Sequence, residues 1–306
     1  IIFKFVRNRN TRGVHLYLTN IYIDDTGFKV KIKFWGCRGS IPVPDSRMIK
    51  YGGDTTCVEV QLDTKTLIID AGTGIRKLGE KLIKNNVTDF DIFITHSHWD
   101  HIQGFPFFEP IYSDKTNINI FGCTNSYKQL KSIFSEQMSY EYFPVSFSDL
   151  KSKISFLEAC GKQYDIDGHA VKVLRTNHPI FTIGLRVEKG GKSFVFITDN
   201  EIASDKPDIT REELVNFCQG ANCLVHDAQF TDEEYKKRKG WGHSTYEQVI
   251  QLAKDSKAQS VGFFHHDPNR KDEDLNKIEN RYKKMCKDAG YGFDVFAVKE
   301  FDEIEL

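Results

Sequence analysis

The chain has 306 residues, 42 basic against 43 acidic for a net charge of −1, and is 40% hydrophobic and 28% charged. That length allows one large domain or two small ones, the apolar fraction suffices for a sizeable core, and the near-neutral charge gives no reason to expect broad binding to nucleic acid or anionic membranes. No stretch approaches the roughly 20 apolar residues of a membrane span, and the opening IIFKFVRNRN lacks the apolar run and small-residue cleavage site of a signal peptide.

In chain order, residues 1–28 read as an N-terminal appendage with no assigned role. Arg7, Arg9 and Arg12 precede a strand-like LYLTNIYI and a turn at Asp24-Asp25-Thr26-Gly27. Residues 29–306 read as the main domain. Runs rich in Val, Ile and Phe predict strands over 30–35, 58–62, 67–70 and 90–95, with a helix over 74–85 between the last two. A strand over 118–121 precedes a helix over 126–138. Strands over 171–175, 184–188 and 193–198 follow, the last two joined by the hairpin turn Lys189-Gly190-Gly191-Lys192. Helices over 211–219, 244–256 and 273–289 then alternate with strands over 223–226, 260–264 and 293–298. The helix at 244 opens on a capping-box pattern in which Ser244 and Glu247 satisfy each other's backbone donors. This order predicts an α/β protein with large sheets covered by helices.

Cys37, Cys57, Cys123, Cys160, Cys218, Cys223 and Cys286 are odd in number, scattered and without a C-x-x-C. They predict buried small apolar side chains in a reducing, cytoplasmic compartment, not disulfides or a cysteine zinc site.

Three of the ten histidines fall in six residues, His96-Ser97-His98-Trp99-Asp100-His101, directly after the apolar run FDIFIT. A strand end is a rigid mount for ligands, and the loop beyond it is open to substrate. Neutral imidazole is the commonest zinc ligand, and carboxylates bind at similar distances. One tetrahedral ion cannot easily use four donors so close in sequence and keep an open position, whereas two ions can, His96 and His98 leaning to one, Asp100 and His101 to the other. Further donors end later strands: His178 after VLRTN, Asp199 after SFVFIT, His226 after CLV and His265 after SVGFF. Stacked sheets would let these ends converge. Of His265 and His266 only one is expected to face the cluster; His15 and His169 have no supporting context.

These residues resemble the metallo-β-lactamase-fold hydrolase superfamily, whose H-x-H-x-D-H signature is matched by His96, His98, Asp100 and His101. Asp70 in LIIDAGTG, His178 in NHP, Asp199 in ITDN and His265 in FFHHDP follow in family order over about residues 29–306. The resemblance implies a metallo-β-lactamase-type αββα four-layer sandwich and two Zn2+ per chain, with Mn2+ or Fe as alternatives. The implied ligands are His96, His98, Asp100, His101, His178, Asp199 and His265, with Asp199 bridging.

The chain is most similar to the phosphodiesterase branch that includes RNase Z. That branch's His-Glu-Ala-Thr and His-Ser-Thr segments correspond to His226-Asp227-Ala228-Gln229 and His243-Ser244-Thr245. Its phrases WGCRGSIPVP, YGGDTTC and HHDP also resemble small bacterial relatives acting on cyclic nucleotides or cyclic phosphates. It departs in having Asp227 in place of Glu, and in leaving only 20 residues (179 through 198) between His178 and Asp199, where typical RNase Z enzymes insert a basic arm.

The implied chemistry is attack on phosphorus by water activated between two metals. Asp100 orients the nucleophile, His243 protonates the leaving alkoxide, and Asp227 holds the His243 ring. His226 reads as a structural histidine. Trp99, Phe105, Phe107, Phe108, Tyr142, Phe143 and Trp241 are candidates to stack a base or to pack, and Arg38 to meet a phosphate or lie on the surface. The leading expectation is a dinuclear zinc phosphodiesterase on small cyclic nucleotides or related cyclic phosphates. An RNase Z-like RNA-processing endonuclease, or a hydrolase of a lactone or thioester, is the alternative. The expected partner is a small phosphodiester, with nucleic acid held behind it, no membrane, and a homodimer by resemblance.

Overall fold

The computed structural model describes residues 30–123, 127–161 and 163–306, so the appendage expected over 1–28 lies outside the described residues. The first half of the chain builds β1 (Lys31–Gly36), β2 (Cys57–Gln61), β3 (Thr66–Ile69), β4 (Asp89–Ile94), β5 (Asn117–Gly122) and β6 (Lys153–Glu158). The second half builds β7 (Gln163–Ile166), β8 (His169–Arg175), β9 (Ile183–Lys189), β10 (Lys192–Ile197), β11 (Cys223–Asp227), β12 (Ser260–Phe264) and β13 (Asp294–Ala297). A last strand, β14 (Glu303–Glu305), returns to pair with β1, giving sheet orders β14-β1-β2-β3-β4-β5-β6 and β13-β12-β11-β10-β9-β8-β7. β3 to β6 run parallel, as do β10 to β13.

The helices are α1 (Ile75–Lys84), α2 (Trp99–Ile102), α3 (Tyr127–Gln137), α4 (Arg211–Cys218), α5 (Asp232–Tyr235), α6 (Tyr246–Asp255) and α7 (Asp272–Asp288). Three apolar layers separate the elements. Phe93 and Phe121 of the first sheet meet Leu185, Phe194 and Phe196 of the second in the central layer. On the outer face of the first sheet, Phe90, Ile92 and Ile120 pack against Leu78 and Leu82 of α1 and Phe134 of α3. On the far side, Val195, Leu224, Val261 and Phe263 pack against Leu214 of α4, Val249 and Leu252 of α6 and Tyr282 of α7. The result is the expected αββα four-layer sandwich.

The alternation along β4 shows why: Phe90, Ile92 and Ile94 face α1 while Phe93 faces the other sheet. Each such buried side chain contributes about 1.5–3 kcal/mol. The hairpin at 189–192 is present, with Lys189 paired to Lys192.

Several expectations are corrected. β6, β7 and β14 were not among the predicted strands; β6 and β14 have mostly exposed residues and so lack a continuous apolar run. The helix after 244 is capped one residue later, by Thr245 with Gln248. Ser244 instead donates to the Asn200 carbonyl at 2.5 Å and accepts from the Ile202 N–H at 3.1 Å. Cys123 and Cys160 form a disulfide (Cα–Cα 5.0 Å), against the expectation that no cysteines pair. The parallel register of β5 and β6 aligns Gly122 with Glu158, and the Ala159 N–H donates to the Gly122 carbonyl, which carries both cysteines past the paired ends together. The remaining five cysteines are buried, as expected. No helix among the described residues is long and apolar enough to cross a membrane.

Candidate metal centre

All the strand-end donors lie where the parallel strands of both sheets finish. β3 ends at Ile69, and Asp70 follows in the left-handed region (φ 63°). Its carboxylate accepts from the Thr95 N–H and hydroxyl, each at 2.7 Å, and holds His101 Nδ1 at 2.7 Å, so that Nε2 is the free ring nitrogen of His101. β4 ends at Ile94; His96 and His98 follow, and the single turn of α2 carries Asp100 and His101.

From the second sheet, β10 delivers Asp199 (φ 51°) and β12 delivers His265 (φ 57°). Ser40, whose N–H donates to Asp100 Oδ2 at 2.7 Å, is also left-handed (φ 66°). Four of the eight non-glycine residues with positive φ among the described residues thus belong to this one site. Each costs on the order of 1–3 kcal/mol and persists only where the surroundings enforce it, a pattern that marks functional sites.

The donor atoms form two sets. Those of His96, His98, His178 and Asp199 lie within 4.8 Å of one another, and so do those of Asp100, His101 and His265. Asp199 stands between them. Its Oδ2 is 3.5 Å from His96 Nε2 and 3.8 Å from His178 Nε2, while its Oδ1 is 3.2 Å from His101 Nε2 and 3.3 Å from His265 Nε2. His96 Nε2 and His101 Nε2 are buried and have no hydrogen-bond partner. Buried imidazole nitrogens are rarely left so unless something else binds them. The seven side chains therefore fit two divalent cations, with Asp199 able to touch both.

Electrostatics agree. Burial pushes the His96, His98 and His178 imidazoles down, His178 to about 4, which keeps them in the neutral form that ligates metal. Burial would also lower His101, but Asp100, Asp199 and Asp70 outweigh it and raise that ring. A site whose carboxylates favour an extra proton on a buried ring equally favours a bound cation.

Beside the cluster, His243 Nδ1 meets Asp227 Oδ2 at 2.8 Å. Burial would lower this ring, but the Asp227 carboxylate holds it up at about 9. His243 also groups with Asp199 and His265 within 4.8 Å, closer to the donors than its sequence context suggested. His226 is buried, with Nδ1 on its own strand's Asp227 carbonyl at 2.7 Å and Nε2 against the Asn200 side-chain amide at 3.0 Å, a structural pairing. His266 Nε2 donates to the Val298 carbonyl at 2.8 Å, leaving His265 as the inward neighbour.

Arg38 meets neither expectation. It is fully buried, and its guanidinium donates to the carbonyls of Gly52, Asp267 and Arg270. It ties three loops together behind Gly39, whose absent side chain makes room for His265: a Cβ there would stand 2.4 Å from the ring.

Glu201 carried no sequence signal beyond lying two residues after Asp199. It is buried and accepts from Tyr235 Oη at 2.6 Å, the Gly240 N–H at 2.8 Å and the Gly242 N–H at 3.1 Å. The Gly242 carbonyl meets His178 Nδ1 at 3.0 Å. Gly242 has φ 86°, and a Cβ on it would lie 2.2 Å from the His178 ring, so glycine is required there. A cleft of about 390 Å³ lined by Asn177, His178, Pro179, Lys206 and Lys239 opens alongside. Of the candidate aromatics, Phe105 and Phe108 are core and Phe143 packs on the same layer, while Trp99, Phe107, Tyr142 and Trp241 are exposed.

Comparison with known proteins identifies the family. A family model described as the beta-lactamase superfamily domain matches residues 65–266. A Ribonuclease Z of Picrophilus torridus is 24% identical, covering 85% of this chain and 92% of its own length. A Ribonuclease Z of Streptococcus sanguinis is 26% identical, over 70% of this chain and 81% of its own. Among solved structures, the metallo-beta-lactamase fold protein YhfI from Bacillus subtilis superposes with a TM-score of 0.67 at 17% identity, over 91% of this chain and all (100%) of that one.

Proposed function

The chain belongs to the β-lactamase superfamily, and from that premise we propose that it is a two-zinc phosphodiesterase that cleaves RNA in the manner of a ribonuclease Z. The observation that carries this reading is Asp199 standing between two histidine-rich donor sets, with one carboxylate oxygen toward each. RNA moves ahead of the small cyclic phosphates that led the sequence-based expectation, because relatives named Ribonuclease Z align over most of their own lengths.

Two bound divalent ions supply Lewis-acid stabilisation of charge on phosphorus oxygens and lower the pKa of a bound water. The chain's own groups do the rest. Asp100, fixed by the Ser40 N–H and His265, orients the attacking oxygen. His243, with Nδ1 on Asp227, presents Nε2 to protonate the leaving alkoxide. Asp70 keeps His101 in the tautomer whose Nε2 is free to ligate.

A small phosphodiester is the second reading. It is favoured by the β9–β10 hairpin, whose two-residue turn at Gly190-Gly191 leaves no arm between His178 and Asp199. The deciding experiment offers metal-quantified protein a precursor transfer RNA, a linear phosphodiester and 2′,3′- and 3′,5′-cyclic nucleotides. Site-specific removal of the 3′ trailer at low enzyme concentration is the expected result. Efficient turnover of a cyclic nucleotide with weak trailer cleavage selects the second reading, and hydrolysis of none of them refutes both.

A further inference from the structure

Two exposed tryptophans adjoin residues of the cluster in the chain. Trp99 opens α2 directly after His98 and is 79% exposed; Trp241 directly precedes Gly242 and is 60% exposed. The residues next to them in the chain, His98 and Gly242, are linked through the His178 ring. His98 Nδ1 is 3.1 Å from His178 Nε2, and His178 Nδ1 is 3.0 Å from the Gly242 carbonyl. Both residues therefore adjoin, along the backbone, the His98–His178 side of the donor set, and Gly240 and Gly242 on either side of Trp241 line the cleft of about 390 Å³.

Neither exposure reflects a loose segment. Trp241 sits between Gly240 and Gly242, both at φ 86°, and Glu201 accepts from the N–H of each. The Trp241 N–H donates to the Arg238 carbonyl at 3.1 Å. Trp99 starts a helical turn pinned by its own carbonyl, which accepts from the Gln103 N–H at 2.7 Å, and by the two ligand candidates that follow it. An exposed aromatic ring carried on a fixed backbone is available to stack on a flat partner.

We infer that Trp99 and Trp241 form a stacking platform for the nucleobase next to the scissile phosphate, which makes the preferred substrate an unpaired nucleotide and not a bare phosphodiester. This rests on the phosphodiesterase reading above and adds the base as a recognition element. Stacking on aromatic side chains accepts any base, so the platform selects for a nucleotide without reading sequence. Phe107, the other exposed ring of the adjoining loop, is engaged edge-on with Phe143 at 5.4 Å and is not assigned to the platform.

The test compares two esters with the same leaving group, thymidine 5′-(4-nitrophenyl) phosphate and methyl 4-nitrophenyl phosphate, on zinc-loaded full chain. Trp99→Ala and Trp241→Ala should each lower the ratio of kcat/KM for the nucleoside ester over the methyl ester by about 5–100-fold, the worth of one base–aromatic stack, chiefly through KM. Trp99→Phe and Trp241→Phe should restore most of the ratio, and metal content should be measured in each. A ratio unmoved by either alanine, or equal losses on both esters, overturns the platform.

A second arm needs no turnover. Adenosine 5′-monophosphate should quench tryptophan fluorescence in the wild type but not in the Trp99→Phe, Trp241→Phe double variant, because the remaining Trp35 is buried against Glu59. Inactivity on both esters with quenching intact refutes the phosphodiesterase reading and leaves the platform standing. Absence of quenching with both esters hydrolysed does the reverse.

Discussion

The two halves of the candidate metal centre are built in opposite ways. The first sheet supplies His96, His98, Asp100 and His101 from one loop and one turn after β4, so their spacing is set by six consecutive residues. The second-sheet half supplies His178, Asp199 and His265 from three separate strand ends, two of them in strained left-handed conformations. A cluster from one short segment survives any packing that keeps that segment ordered. A cluster from three strands exists only if β8, β10 and β12 keep their register. The contiguous half is therefore expected to govern whether metal binds, and the dispersed half how the two donor sets are held together.

The sharpest way to break this comparison is to remove one carboxylate from each half. Asp100→Asn and Asp199→Ala should each nearly abolish hydrolysis, a drop on the order of 10⁴-fold, since each loses several kcal/mol of charge stabilisation. Elemental analysis should show two metals per chain in the wild type. Active protein with one metal or none would contradict the two-set geometry.

Next in size is His243→Ala, expected to lower turnover by about 10²–10⁴-fold, the usual worth of a positioned acid. The loss should shrink for a nitrophenolate leaving group, which needs no proton, and metal content should hold. Because His243 also lies among Asp199 and His265, loss of a metal in this variant would move it from acid to ligand.

A smaller and more discriminating effect comes from the two buried carboxylates that orient rings. Asp70→Asn, behind His101, should weaken metal affinity by about 10–100-fold, as removal of a ligand's hydrogen-bond partner commonly does. Asp227→Asn, behind His243, should instead lower turnover on poor leaving groups while metal affinity, read by chelator competition, stays. If both variants behave alike, the assignment of separate duties to the two rings fails.

The least effect on activity is expected at the disulfide. Cys160→Ser opens a link across 37 residues and should lower unfolding free energy by about 2–4 kcal/mol, read as a lower Tm, with hydrolysis below the transition maintained. An unchanged Tm would show that the link adds nothing to the β5–β6 edge.

What could be read without a fold was whatever chemistry is local. The HSHWDH segment pointed to a candidate metal site because imidazole and carboxylate donors crowd a strand end, and the apolar runs announced most of the strands and helices because burial selects Val, Ile and Phe. Asp227 beside His243 was also anticipated, through the resemblance of both segments to known motifs. The weak strands β6, β7 and β14 were missed because pairing, not apolar content, defines them.

Contacts between residues far apart in the chain were decided only in three dimensions. Arg38 was open to surface or phosphate readings, yet it is buried on three carbonyls because the loop at 52 and the loop carrying 267 and 270 close over it. Glu201, two residues after Asp199, carried no signal in the sequence, yet it clamps a loop some forty residues on by accepting from Gly240 and Gly242. Cys123 and Cys160 paired because parallel strands end side by side. Residue type and spacing state what a side chain can do; burial and long-range hydrogen bonding decide what it does, because those energies depend on partners that no local pattern contains.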